Sequence, residues 1–321
     1  YGPLQKIGNI GFRKVFCKEG WEWGYFSFRP GVKRITDYEL IGGYSGYKNE
    51  LDIGVTYKKK GFLLLKGALK KDYLSDIRQE AKSCFLRQIA YRGYSLNIGN
   101  SEKDFEQALY RLFRDDYEAF IGAAKLCQHA ISLFRLSASD EVINPLQTLG
   151  IRQPAICVKP IIYFNSRHIS KIEGHYKTPA HQDWRSMQGS LNSAVVWIPL
   201  IDINKDLGAL EVIPRSHLRG LLPTEQDEWF RHIRPDFINE DDFVSLEVEA
   251  GDMVIFSSFL IHRSGNNKTE SIRWSMHYRY NDAAEQTWID RNYIHPYRVY
   301  HPDQGNVDEN FPSIGQLKEV F

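Results

Sequence analysis

Beyond about residue 153 the chain becomes a succession of short β-type runs separated by turn residues: 155–163, 194–200, 209–213, 244–248, 253–261 and 272–280. Each run is rich in Val, Ile, Phe, Tyr or Trp, the pattern of a β sandwich or barrel. Ahead of them the apolar period is different. Residues 71–90 place Tyr73, Leu74, Ile77, Ala81, Cys84 and Phe85 at helical spacing. Residues 103–135 carry two further stripes, Leu109, Leu112 and Phe113, then Phe120, Ala123, Ala124, Cys127 and Ile131, read as two helices that either break near residues 115–116 or run on. Residues 62–65 read as one short strand between glycines. Helices first and strands afterwards, without strict alternation, argue against a doubly wound α/β fold. The expectation is a mainly β core with flanking helices.

Around this core, residues 1–57 are Gly- and Tyr-rich and read as an irregular or hairpin-bearing N-terminal extension. The core domain is placed at 58–282, with a charged insertion at 224–242 expected to carry a short helix, and 283–321 as a polar tail packed on the core. Gly42-Gly43-Tyr44-Ser45-Gly46 is a turn signal without the Lys-Ser/Thr of a phosphate loop. The chain begins with Tyr1, so a preceding targeting segment would not be visible in it. Lys plus Arg (41) nearly cancels Asp plus Glu (40), which removes any electrostatic reason to expect nucleic acid or an anionic membrane as partner. No apolar run approaches membrane-span length. The four cysteines are widely spaced, without a CxxC pair, and are read as free thiols of a cytoplasmic protein. The high Tyr and Phe content is read first as β core and second as the wall of a ligand cavity.

The chemistry sits in His181-Gln182-Asp183 and His262. Residues two apart on a strand point to the same side, so His181 and Asp183 can reach one ion. His262 closes a long apolar run and can supply a second imidazole from a distant strand. Two imidazoles and a carboxylate on one face of a metal, with the other face open, is the ligand set of non-haem Fe(II) oxygenases. A second His-x-Asp, His301-Pro302-Asp303, lies in the tail with no histidine after it and is read as chance. The last β run puts Arg273, Ser275, His277 and Arg279 on one face and Trp274, Met276, Tyr278 and Tyr280 on the other. A buried Arg273 needs a carboxylate: either a core acid, or the far carboxylate of 2-oxoglutarate, with Ser264 and Ser275 as added hydroxyl donors. Gln182 and Trp184 flank the metal residues and are candidates for the substrate mouth. Asn165, Arg167 and Arg185 are polar candidates nearby. His277 and Arg279 either reach substrate or pack and pair.

Over roughly residues 58–282 the chain resembles the phytanoyl-CoA dioxygenase-like family of Fe(II)/2-oxoglutarate oxygenases. The resemblance is carried by His181-Gln182-Asp183-Trp184, Trp197-Ile198-Pro199-Leu200, Leu210 through Pro214-Arg215-Ser216-His217, Gly251-Asp252, and His262-Arg263-Ser264-Gly265-Asn266-Asn267 to Arg273, in that order. It implies a double-stranded β-helix (a cupin-like jelly roll) with helices on one face. It implies iron on His181, Asp183 and His262, Arg273 and Ser264 on the far carboxylate of 2-oxoglutarate, and Trp197 walling that pocket. The implied cosubstrates are 2-oxoglutarate and O2, and the products succinate and CO2. Halogenating relatives lack the carboxylate ligand, so Asp183 favours hydroxylation. Where the family often has Pro-Gly-Ser-His this chain has Pro214-Arg215-Ser216-His217, a departure at a turn. The substrate expected is a small polar metabolite or biosynthetic intermediate, carbohydrate-related, acted on by a monomer or homodimer. Two other readings stay open: a cupin-like metalloenzyme that does not use 2-oxoglutarate, and a catalytically silent member acting as a binding protein.

Overall fold

A computed structural model describes residues 50–94, 101–170, 177–227 and 230–293, all within one compact unit. The described residues open with helix α1 (Glu50–Lys60) and strand β1 (Phe62–Leu65), followed by a helical block: α2 (Lys71–Tyr91), α3 (Glu102–Asp115), α4 (Tyr117–Leu126), α5 (Ile131–Ser137) and α6 (Asp140–Thr148). The β block follows: β2 (Pro154–Ile156), β3 (Ile161–Asn165), the short helix α7 (Trp184–Met187), β4 (Ala194–Pro199), β5 (Leu210–Val212), β6 (Thr224–Gln226), β7 (Arg231–Ile233), β8 (Val244–Leu246), β9 (Met253–Ser257), β10 (His262–Ser264) and β11 (Arg273–Asp282). Helix α8 (Gln286–Asp290) ends it.

The break at residues 115–116 has a local cause. Asp116 ends α3, and its carboxylate accepts from the Ala119 N–H at 3.0 Å to start α4. Ser101 does the same for α3, accepting from the Asp104 N–H at 3.2 Å.

All strand pairs are antiparallel. The larger sheet runs β1-β9-β4-β11-β2, with β3 also on β11; the smaller runs β10-β5-β8. Strand alternation sorts the core into two layers. From β4 and β11, Ala194, Val196, Ile198, Trp274, Met276, Tyr278 and Tyr280 join the helical cluster with Leu74, Ile77, Phe85, Leu109 and Phe120. From the opposite face, Val195, Trp197, Val254 and Phe256 pack with Leu210, Val212 and Leu246 of the smaller sheet. The face division read on β11 from period two alone is the one the fold uses. The helices cover one side of the larger sheet, and the site lies between the two sheets. Trp274 and Tyr278 are among the largest fully buried side chains, and truncating either to Ala would cost about 3–5 kcal/mol.

Several local expectations need correction. Residues 50–57 are not irregular: α1 crosses the expected boundary at 57/58, and its Ile53 packs with Leu63. The run 155–163 is interrupted before β3, where Pro160 offers no ladder N–H; both halves still pair with β11. The run 253–261 ends at Ser257, turns through a Leu260 N–H to Ser257 carbonyl bond of 2.8 Å, and resumes as β10 in the other sheet. The insertion carries no α-helix among its described residues. It forms the hairpin β6–β7 and two 3₁₀ turns, Pro235–Phe237 and Glu240–Asp242. Helix α6 was not foreseen, and α8 buries Trp288. The motifs at 42–46 and 301–303 lie outside the described residues.

The Arg215 departure sits where the chain turns left-handed, at φ 69°. A side chain there is strained, which is the physical reason for glycine at this turn. Arg215→Gly is therefore expected to stabilise the fold by roughly 0.5–1 kcal/mol, read as a higher urea midpoint. The adjoining Ser216 and His217 are structural. Ser216 Oγ accepts from the Ile261 N–H at 2.8 Å, and His217 Nε2 lies 2.9 Å from the Lys58 carbonyl.

Candidate metal and cosubstrate site

His181 and His262 come from segments far apart in sequence that meet as a one-rung antiparallel bridge. The His181 N–H donates to the His262 carbonyl at 3.0 Å and the reverse bond is 3.2 Å. The imidazoles are thus held side by side, their centroids 4.1 Å apart. Each Nδ1 faces a backbone carbonyl, Pro179 at 2.8 Å and Leu260 at 3.0 Å. A carbonyl only accepts, so each Nδ1 carries a proton, and the neutral tautomer this selects keeps its lone pair on Nε2. Asp183 follows at the step into α7 and is buried. Its Oδ1 accepts from Arg279 Nε at 2.9 Å and Nη2 at 2.7 Å. Its Oδ2 has no hydrogen-bond partner among the described residues and lies 3.3 Å from His262 Nε2. One ligand atom from each of His181, Asp183 and His262 lies within 4.8 Å of the others.

Three lone pairs therefore converge with no proton between them, an unfavourable arrangement unless a cation occupies the centre. Two neutral imidazoles and one carboxylate suit a first-row divalent metal with open positions. The titration behaviour agrees. Burial, and then the neighbouring His262, pull His181 down to about 4, so it is neutral at physiological pH. Burial alone would raise Asp183; the Arg279 guanidinium is the largest influence opposing it, and the carboxyl is held well below the usual range.

This has a pH consequence for metal-free protein. A histidine whose folded pKa is depressed binds fewer protons folded than unfolded between the two values. Stability should therefore be fully present above about pH 6.5 and fall as pH drops towards 4. His277, pushed far down by burial and Arg279, adds in the same direction. Bound metal should protect, and urea midpoints across this window, with and without metal, test the sign.

A few residues away on the same face of β11, Arg273 lies 4% exposed between the sheets. It donates through Nη1 to the Gly208 carbonyl and through Nη2 to Asn165 Oδ1 at 3.0 Å and Ser264 Oγ at 3.2 Å. Gly208 approaches so closely that a Cβ there would meet the Gly265 carbonyl at 2.8 Å. Among the described residues no carboxylate pairs with Arg273, and its Nε is without a partner. Burial lowers its pKa to about 10, which still leaves it cationic. The space before it is lined by Tyr163, Trp197, Phe256, His262, Ser264 and His277. Ser275 Oγ and His277 Nε2 are buried and unpartnered. A cationic fork at the back of a cavity whose front holds the metal residues is a receptor for a short diacid that also chelates.

Other sequence candidates are placed differently. Gln182 faces away from the cavity. Its Nε2 donates to the Gly220 and Phe259 carbonyls, both at 2.7 Å, and its Oε1 accepts from the Leu222 N–H at 2.9 Å. Trp184 stacks on Phe259 at 5.2 Å, and its indole N–H donates to the Ser190 carbonyl at 3.1 Å. Both were mouth candidates, and both are braces: the chain leaves the His181 bridge and turns helical at Asp183, so Gln182 and Trp184 are spent on backbone carbonyls and on Phe259. Arg185 donates to the Leu222 carbonyl and Arg167 pairs with Glu270. Asn165 orients Arg273, and Arg279 holds Asp183. Asn267 spends its amide on Asn165, Ser271 and Thr269 and is buried. Sequence reasoning missed Tyr163 and Phe256 as cavity walls. Their alternation on β3 and β9 would have placed them on the inner face had the strand pairing been known.

The antiparallel two-sheet core and the His–Asp–His set define a double-stranded β-helix oxygenase of the mononuclear non-haem iron class. The family model for phytanoyl-CoA dioxygenase (PhyH) matches residues 57–275, and the chain belongs to this family. A Caenorhabditis elegans protein named probable phytanoyl-CoA dioxygenase is 27% identical over 256 residues, covering 73% of this chain and 76% of the relative. The 1-deoxypentalenic acid 11-beta-hydroxylase of Streptomyces exfoliatus is 24% identical over 246 residues, covering 71% and 80%. Among solved structures, the epimerase SnoN in complex with Fe3+, alpha ketoglutarate and nogalamycin RO superposes with a TM-score of 0.50 at 16% identity, covering 79% of this chain and 93% of that one. The enzyme is thus an Fe(II)/2-oxoglutarate-dependent dioxygenase acting on small molecules. Among the described residues no helix is long and apolar enough to cross a membrane.

Proposed function

We propose that this enzyme hydroxylates an unactivated C–H bond of a small polar metabolite or biosynthetic intermediate, carbohydrate-related in character, with release of succinate and CO2. His181, Asp183 and His262 hold the iron; Arg273 and Ser264 take the far carboxylate of 2-oxoglutarate, Ser275 stands beside them, and Trp197 walls the pocket. The observation that carries this reading is the buried, acid-free Arg273 behind three converging lone pairs. When bound, iron and 2-oxoglutarate supply the oxidising power toward O2 and the C–H bond. The residues of the chain do the rest. The two Nδ1–H bonds fix both rings, Arg279 fixes the carboxylate, and the apolar wall of Trp197, Leu210 and Phe256 limits water around the cosubstrate.

The polar character of the substrate is supported by a second depression opening onto His181 and Asp183. Asn165, Ser166, Lys177, Thr178, Ser186 and Arg279 line it, against the apolar Phe164, Ile169 and Phe230. A long acyl chain would desolvate those polar groups without pairing them, at about 1–3 kcal/mol each. A cytoplasmic site of action belongs to the same reading, supported by the free thiols Cys84, Cys127 and Cys157.

The test is anaerobic titration with Fe(II) and 2-oxoglutarate, followed by a succinate-release screen pairing polar, sugar-like compounds with acyl-CoA esters. A visible charge-transfer band and succinate release driven by a polar compound are expected. Turnover of acyl-CoA esters alone would overturn the substrate reading. Absence of both band and metal uptake would overturn the site.

A further inference from the structure

Strand β11 carries a second buried arginine that the cosubstrate reading does not use. Arg279 lies on the same face as Arg273, at the opposite end of the site, and is largely buried. Both of its hydrogen bonds to Asp183 fall on one oxygen, Oδ1, at 2.9 and 2.7 Å. A guanidinium normally gains most by forking across both carboxylate oxygens. Here that second bond is forgone, and Oδ2 is left buried and unpartnered, turned towards the His262 Nε2 at 3.3 Å.

We propose that Arg279 is a positioning residue that makes Asp183 a one-oxygen ligand. It occupies Oδ1 with two donors so that Oδ2 alone faces the metal. The inference rests on the assignment of Asp183 as a metal ligand. Its consequence concerns the open face. A carboxylate free to rotate can offer both oxygens, and the second would take a coordination position that the chelating diacid and O2 require. Arg279 closes that option and holds Oδ2 in place by fixing the far oxygen with two donors. The aromatic Tyr163, which neighbours Arg279 in the depression, and the helix start at Trp184, whose N–H donates to the Ser258 carbonyl at 3.0 Å, hold the two partners from either side. Partners of this kind, one shell out from a metal ligand, typically alter metal affinity by about 10–100-fold when removed.

The experiment compares wild type, Arg279→Gln and Arg279→Lys, each as the full chain. Mn(II) and Fe(II) affinities are measured by anaerobic titration without substrate, and then the 2-oxoglutarate-dependent charge-transfer band and the 2-oxoglutarate affinity of the iron-loaded protein. Arg279→Gln should bind either metal roughly 10–100-fold more weakly. Its charge-transfer band should be shifted or weakened, because the second carboxylate oxygen competes with the diacid. Arg279→Lys keeps the charge but cannot place two donors on Oδ1, so it should recover metal affinity more than it recovers the band. A residue that merely filled space would change the melting temperature and leave the band of the folded, loaded protein as in wild type. If Arg279→Lys is folded and matches wild type in both metal affinity and band, the inference fails. If wild type itself takes up neither metal, the ligand assignment beneath it has failed instead.

Discussion

Asp183→Ala is expected to end 2-oxoglutarate turnover and, in metal-free protein, to cost about 3–5 kcal/mol of stability. The first effect follows from the ligand count: without the carboxylate only two imidazoles remain. The second follows from Arg279, whose buried guanidinium places two hydrogen bonds on Asp183. Removing the acid leaves that charge in a low-dielectric site with nothing to balance it. The two effects separate in a double variant. Asp183→Ala combined with Arg279→Met removes both charges, so most of the lost stability should return while metal binding stays absent. Urea unfolding of the metal-free proteins reads the first quantity and anaerobic metal titration the second. Unchanged turnover in Asp183→Ala would remove Asp183 from the metal site altogether.

Arg273→Ala should act on the cosubstrate and spare the metal. A buried cation paired with a carboxylate loses about 2–5 kcal/mol when truncated, which is roughly a 30-fold to several-thousand-fold rise in the 2-oxoglutarate requirement. Iron affinity should stay within a few-fold, because Arg273 directs its hydrogen bonds to Gly208, Asn165 and Ser264 and not to His181, Asp183 or His262. Arg273→Lys should recover only part of the loss, since a point charge cannot reach Gly208, Asn165, Ser264 and a diacid together. Metal titration and the 2-oxoglutarate dependence of succinate release, measured on the same preparations, decide the matter. Parallel shifts in both would mean that Arg273 supports the inter-sheet packing and has no selective role with the diacid.

Two kinds of information meet in these residues. The helical stripes, the β runs and the two faces of β11 could all be read directly, because each is a local period imposed by backbone geometry, 3.6 residues on a helix and two on a strand. The same holds for Arg273 entering the core without an obvious acid; His181 and Asp183 do reach one site, but through a single bridge and a turn into α7, where the strand period expected for them does not apply. Identity of the metal residues was legible because His-x-Asp, a later histidine and a core arginine rarely fall in this order without a shared ion.

What no local period carries is which inner face meets which. Gln182 and Trp184 sit beside the ligands in sequence yet serve as braces, since the chain turns into α7 at Asp183 and their partners come from distant segments. Asn165 meets Arg273 because β3 pairs with β11 in a register that sets those two residues opposite each other. Arg279 finds Asp183 only because the segment before α7 crosses from one sheet to the other, bringing residues almost a hundred positions apart into hydrogen-bond range. The insertion became a hairpin through cross-strand partners that its own residues do not specify. Periodicity along a strand tells a side chain which way to face; only the register and approach of the two sheets decide what it faces, because those depend on contacts between distant segments.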